Sequence, residues 1–153
     1  MRQDEHIYPF RLSRFGRGVD DFTAIEMFPL PAASADEWPY GDWADEQFFL
    51  LNRDAYSHSV YAHRAASLWR KIQLFRPKVL LCYGGGHEEL YEGVIRTRFV
   101  EAAGDLNISH AHIQATDTRV FLINHVTRGV TNDQLAAFGN FIGEFFAQNR
   151  NQL

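Results

Sequence analysis

An imidazole, a hydroxyl and a guanidinium stand close together at His125, Thr127 and Arg128. They follow the run Arg119-Val-Phe-Leu-Ile-Asn124 and precede Thr131-Asn-Asp-Gln134, which opens a helical pattern. A strand that empties into such a loop sets polar groups at the carboxyl end of a sheet strand, where open α/β sheets bind ligands. An imidazole there can stabilise charge or move a proton, and a guanidinium can hold an anion. The plainer alternative is that both only make loop contacts.

Three further groupings could do chemistry. Gly84-Gly-Gly86 sits between an apolar run and a helical one, so its N–H groups could cradle a phosphate at a helix start. Its spacing matches neither a P-loop nor a dinucleotide fingerprint, and a tight strand-to-helix turn is the simpler explanation. His110 and His112 are two apart on an expected strand and would share one face, as a metal pair with His87 or His125 would require. No third ligand stands at a recognisable spacing, so the expectation is hydrogen-bonded or exposed histidines and no metal. Glu26 ends an apolar stretch and, in a doubly wound sheet, could meet His125 in one crevice around a small planar ligand. A salt bridge from Glu26 to a nearby Arg is the alternative.

These groups need elements to hold them. Residues 22–28 read as a first strand, stopped by Pro29-Leu-Pro31, and residues 32–43 as an ordered aromatic loop. Tyr61, Ala65, Leu68, Ile72 and Phe75 recur at intervals of four and three, which predicts a helix over 52–75 ended by Pro77. Val79 to Tyr83 reads as a buried strand, residues 87–99 as a helix, and residues 108–115 and 120–124 as two strands turning at Thr116-Asp-Thr118, with a loop as the alternative for the first. The first strand, long helix and second strand together suggest a right-handed βαβ unit. Thr131 and Gln134 form a capping box for a last helix with the stripe Leu135, Phe138, Ile142 and Phe145.

Composition sets the frame. The chain has 153 residues, 46% of them hydrophobic and 14% aromatic, which suits one domain of roughly 100 to 200 residues. Residues 1–21 read as a polar, Arg-rich arm and residues 22–153 as a single α/β domain. The single Cys82 excludes an internal disulfide framework, and no secretory leader pattern opens the chain, so the expected compartment is cytoplasmic. No apolar run approaches the ~20 residues that cross a bilayer, so no membrane partner is expected. A net charge of −4 does not favour phosphate binding overall. The basic residues clustered at Arg64, Arg70, Lys71, Arg76 and Lys78 read as a solvated helix face.

Thr23-Ala-Ile-Glu26-Met-Phe-Pro-Leu-Pro31, then a long helix, Arg76-Pro-Lys-Val-Leu-Leu-Cys-Tyr-Gly84, and Ile123-Asn-His125-Val-Thr-Arg128 before a final helix resemble the uracil-DNA glycosylase superfamily, nearest its single-strand-selective monofunctional branch. The likeness covers residues 22–147. It implies a three-layer sandwich with a mainly parallel central sheet. It also implies that Glu26 and Phe28 meet the base, that His125 stabilises the departing base as the catalytic residue, and that Gly84, Gly85, Thr127 and Arg128 hold DNA phosphate. Glu26 replaces the family's Asn, and His125-Val-Thr127 keeps the His and hydroxyl of a His-Pro-Ser motif without its Pro. An ionised Glu offers only acceptors, which suits a base with an exocyclic amine better than uracil. The family's Gly-rich water-positioning motif has no counterpart in residues 1–21, so the N-terminal part is read as missing or replaced, with a second subunit as one way to complete the sheet.

The chemistry so implied is hydrolysis of the N-glycosidic bond of a damaged or deaminated base flipped from DNA, single-stranded or duplex, without metal or organic cofactor. The rival reading is a shortened, non-catalytic module of the same fold that binds nucleic acid, a nucleotide or a protein, with homo-oligomers among its assemblies.

Overall fold

A computed structural model of the chain describes residues 23–30, 37–84, 86–101, 108–124 and 131–149. Its longest element is helix α1, Arg53–Phe75. Asn52 caps it, accepting the Ala55 N–H on Oδ1 at 2.8 Å and the Tyr56 N–H on its carbonyl at 3.1 Å. A side chain thereby satisfies one of the donors that a helix start leaves without a partner. The helix stops at Arg76, whose φ of 44° is left-handed and whose N–H closes on the Ile72 carbonyl at 2.9 Å, and Pro77 follows. Ala65 and Ile72 of the expected stripe are buried and Tyr61 and Leu68 half-buried, whereas Phe75 lies open to solvent.

Among the described residues the chain continues through strand β1 (Val79–Tyr83), helix α2 (Glu88–Ile95), strands β2 (Val100–Glu101), β3 (Ser109–Ile113) and β4 (Thr118–Ile123), and helix α3 (Asn132–Asn149). The strands form one sheet in the order β1-β4-β3-β2. The fold is therefore α/β, as expected, but the sheet is mixed rather than mainly parallel: β1 and β4 run parallel, and the other two pairs antiparallel. The reason lies in residues 114–117. Thr116 N–H meets the Ile113 carbonyl at 3.2 Å, Asp117 N–H meets Gln114 at 3.3 Å, and Asp117 takes a φ of 53°. This turn is far shorter than the dozen or so residues a parallel crossover needs, so β3 and β4 must be a hairpin.

Helix α2 is shorter than the expected 87–99 because Glu92 ends it. Arg96, at φ 57°, returns its N–H to the Glu92 carbonyl at 2.7 Å. The Glu92 carboxylate accepts from Arg98 Nη1 at 2.9 Å and from the Phe99 N–H at 2.8 Å, drawing the chain toward β2.

Pairing register assigns the two faces of the sheet, because directly paired residues point the same way. Val79, Leu81, Tyr83, His110, Arg119, Phe121 and Ile123 share one face. Helix α3 packs there: Ile108, Phe121, Ile123 and Phe138 form a core against which Phe141, Ile142, Phe145 and Phe146 lie. The fully buried Phe121 ring meets Phe141, Phe145 and Phe146 edge-on at centroid distances of 5.5 to 6.5 Å. On the opposite face Cys82, Ala111, Ile113, Thr118, Val120 and Leu122 are also buried. Helix α3 begins with the expected capping box: Thr131 N–H donates to Gln134 Oε1 at 2.8 Å, and Gln134 N–H to Thr131 Oγ1 at 3.2 Å.

The expected first strand is not formed, since residues 23–28 adopt neither strand nor helix, and with it goes the expected βαβ unit. Side chains of α1 take the place of a strand partner here. Arg64 donates from Nη2 to the Glu26 carbonyl at 2.6 Å and from Nε to the Met27 carbonyl at 3.1 Å, and Tyr56 OH accepts the Leu30 N–H at 3.3 Å. The described part of the aromatic loop is ordered by Trp38, whose Nε1 donates to the Leu50 carbonyl at 2.7 Å and whose ring meets Tyr40 at 5.0 Å and Tyr56 at 5.4 Å.

The chain divides into two compact units, Met1–Arg64 and Ala65–Leu153, with the boundary inside α1. The arm expected at residues 1–21 lies outside the described residues. Among those residues no helix is long and apolar enough to cross a membrane.

Candidate functional site

The parallel pair β1 and β4 makes the candidate site. Their register runs from Val79 beside Arg119 to Tyr83 beside Ile123, and Gly84 extends it by donating its N–H to the Ile123 carbonyl at 3.1 Å. Both strands therefore end at one rim of the sheet. The glycine turn leaves β1 at this rim, and the segment that carries His125, Thr127 and Arg128 leaves β4 there through the exposed Asn124. His125, Thr127, Arg128 and Gly85 themselves lie outside the described residues.

Gly84 and Gly86 have φ angles of 111° and 88°, a region that favours glycine, so the turn needs these residues for its backbone path alone. The Gly84 N–H is already spent on β4 and cannot also face an anion. Helix α2 starts with Glu88 and Glu89 in its first turn and has no side-chain cap from His87. Those carboxylates complement the positive end of the helix dipole and repel a phosphate from it. The described part of the turn accordingly does a structural job.

Tyr91 is a rim residue that the sequence did not single out. Its hydroxyl donates to the carbonyl of Tyr83, the last residue of β1, at 2.8 Å. Burial, then the neighbouring Cys82 and Tyr83, push its phenol up to about 12, so it stays a neutral donor. Only the i+3 step from Glu88 on a short helix would have placed it there. Beside it, burial pushes the Cys82 thiol up to about 12 as well, which leaves it inert as a nucleophile at neutral pH.

His110 and His112 do share a face, but each has its own partner. The His110 ring lies 5.6 Å from Phe145, and His112 Nε2 meets Asp117 Oδ1 at 2.8 Å. Arg119, on the same face, stacks its guanidinium over Phe145 at 5.6 Å. Among the described residues no group of three or more His, Cys, Asp or Glu side chains could hold a metal ion.

In the first unit Glu26 is exposed, on a segment that is not a strand. An arginine does reach it, but Arg64 grips its main-chain carbonyl. Phe28 sets its ring edge-on to Tyr56 at 6.4 Å.

Compared with protein-family models, curated proteins and solved structures, the chain matches none.

Proposed function

We propose that the chain is a uracil-DNA glycosylase-like protein that binds a nucleobase flipped from DNA at the rim where β1 and β4 end. One observation carries this reading: the parallel register of β1 and β4, extended by Gly84, brings the starts of the glycine turn and of the His125 segment to the same end of the sheet. The resemblance then assigns the roles. Water adds to the sugar C1′ as the bond to the base nitrogen breaks, His125 stabilises the negative charge on the departing base, and Thr127 and Arg128 hold the flanking phosphate. The three-layer arrangement belongs to this reading. Burial of Cys82, Ala111, Val120 and Leu122 on the face opposite α3 supports it.

The test is base release from single- and double-stranded oligonucleotides carrying uracil, deaminated purines or normal bases. Release from at least one substrate, falling by about two to three orders of magnitude in His125→Ala, is the expected result, the size typical of losing one charge-stabilising donor. Undiminished turnover in that variant would refute the assignment of His125.

A second reading, a non-catalytic binding module of the same fold, is favoured by the engaged Gly84 N–H and the acidic start of α2. It expects no base release, together with salt-sensitive binding of single-stranded DNA that weakens in Arg128→Ala. DNA binding unchanged by salt and by that substitution would remove nucleic acid as the ligand of this rim.

A further inference from the structure

Helix α1 ends on two apolar residues that lie open to water. Leu74 and Phe75 are 75% and 72% exposed, more than any other large hydrophobic residue described in the second unit. Residues four apart on a helix share a face, so Leu74 stands over Arg70 and Phe75 over Lys71. Arg76 and Lys78 follow directly, all four cations are exposed, and Val79, 39% exposed, continues the apolar surface into β1. Among the described residues none of the four pairs with a carboxylate. Residues 55–87 contain no Asp or Glu, in a chain whose net charge is −4. Two other elements add positive charge here. Arg96, at the end of α2, lays its guanidinium over Trp69 of α1 at 4.9 Å, and Arg119 of β4 pairs with Val79 and donates its N–H to the Lys78 carbonyl at 3.0 Å. Asp117, the acid closest in sequence to Arg119, is held by His112 at 2.8 Å.

We infer that the end of α1 docks on the surface of an anionic lipid bilayer. Leu74 and Phe75 enter the boundary between headgroups and acyl chains. Arg70, Lys71, Arg76 and Lys78 lay their apolar stems beside them and carry their charges to the lipid phosphates and carboxylates. The two halves of the patch together select this partner. A nucleic-acid backbone would match the cations but leave the aliphatic Leu74 in water. A peptide helix would need a groove, whereas these two side chains project from a helix end. A bilayer takes in projecting apolar groups at its soft boundary and, with phosphatidylserine, supplies the opposite charge. Such surface contact requires no spanning helix, and none is present among the described residues. The inference is independent of the base-binding reading, which concerns the opposite rim of the sheet, where β1 and β4 end.

Flotation of the full chain with vesicles tests it, using phosphatidylcholine alone and phosphatidylcholine with about 30% phosphatidylserine. The wild-type chain should bind the anionic vesicles at low salt, bind them less as salt rises, and stay off the neutral ones. Leu74→Ser combined with Phe75→Ser should weaken that binding by about tenfold or more, with the urea midpoint unchanged because neither side chain is packed. Lys71→Gln and Lys78→Gln should each weaken it about fivefold. Phe75→Trp reads depth: brominated acyl chains should quench its emission beyond any quenching of the wild-type chain. Absence of binding to anionic vesicles, equal binding to neutral ones, a double Ser variant that binds like the wild type, or no added quenching would each overturn the proposal. Binding of a single-stranded oligonucleotide that falls by the same factors in the Ser and Gln variants, without vesicle binding, would give the patch to nucleic acid instead.

Discussion

The described part of the first unit and the sheet of the second satisfy their backbones in different ways. Around residues 26–50 the main-chain carbonyls of Glu26, Met27, Glu37 and Leu50 are met by side chains, from Arg64, Arg53 and Trp38. In the sheet, ladders of main-chain bonds do the same work, and the side chains are free to pack around Phe121. A ladder survives any single side-chain change, whereas a carbonyl held by one guanidinium loses its donor with one substitution. The first region should therefore fail locally and the second only as a whole.

The strongest way to break that contrast is Phe121→Ala. Emptying the fully buried position under α3 should cost about 3–5 kcal/mol and lower the urea midpoint of the whole sheet unit. A loss below about 1 kcal/mol would mean that the ring cluster is not the core.

Alkaline unfolding probes the sheet unit to a comparable extent. Cys82 and Tyr91 are raised by burial from 9.0 and 10.0 to about 12. The unfolded chain therefore releases these protons first. The contribution of these two groups should be constant below about pH 9 and should fall between pH 9 and about 12, by roughly 1.4 kcal/mol per pH unit from Cys82 and by less from the partly exposed Tyr91. In Cys82→Ala the decline should begin near pH 10 instead. An onset unmoved by that change would show that the thiol plays no part.

Arg64→Ala sharpens the comparison from the other side. Loss of two charge-assisted bonds should cost roughly 1.5–3 kcal/mol. The cost should appear as faster hydrogen exchange and proteolysis at residues 26–30, with the sheet amides unchanged. Arg64→Lys should not restore protection, since an ammonium lacks the fork that reaches both carbonyls. Uniform loss of protection throughout the chain would erase the distinction between the two regions.

The smallest effect expected is that of Thr131→Ala, which removes half of the capping box and should lower the thermal midpoint by an amount corresponding to about 1 kcal/mol.

The elements that could be read from sequence are those whose information is local. The capping box at Thr131 and Gln134, the α1 stripe with Asn52 before it, and the hairpin turn at Asp117 all lie within a few residues of the bonds they form. Misread segments depended on distant partners. Residues 22–28 have strand-like composition, but Arg64, far along the chain, supplies bonds to Glu26 and Met27, and Tyr56 meets Leu30 just beyond them. Val79 to Tyr83 reads as a buried strand because every residue in it is apolar or aromatic, yet its place at the edge leaves one stripe half exposed. At the candidate site, the glycines marked the turn correctly, while the spent Gly84 N–H and the Tyr91 bond depended on which strand lay alongside.

The chain's own letters settled where α1 begins and ends, where α3 begins, and that His110 and His112 share a face, because period and capping act over one or two turns. Only the tertiary structure decided that β1 pairs with β4, that α3 covers one side of that pair, and that the outer edge of β1 meets no described strand. Those outcomes depend on partners dozens of residues apart, whose selection is a matter of packing and main-chain satisfaction across the whole sheet.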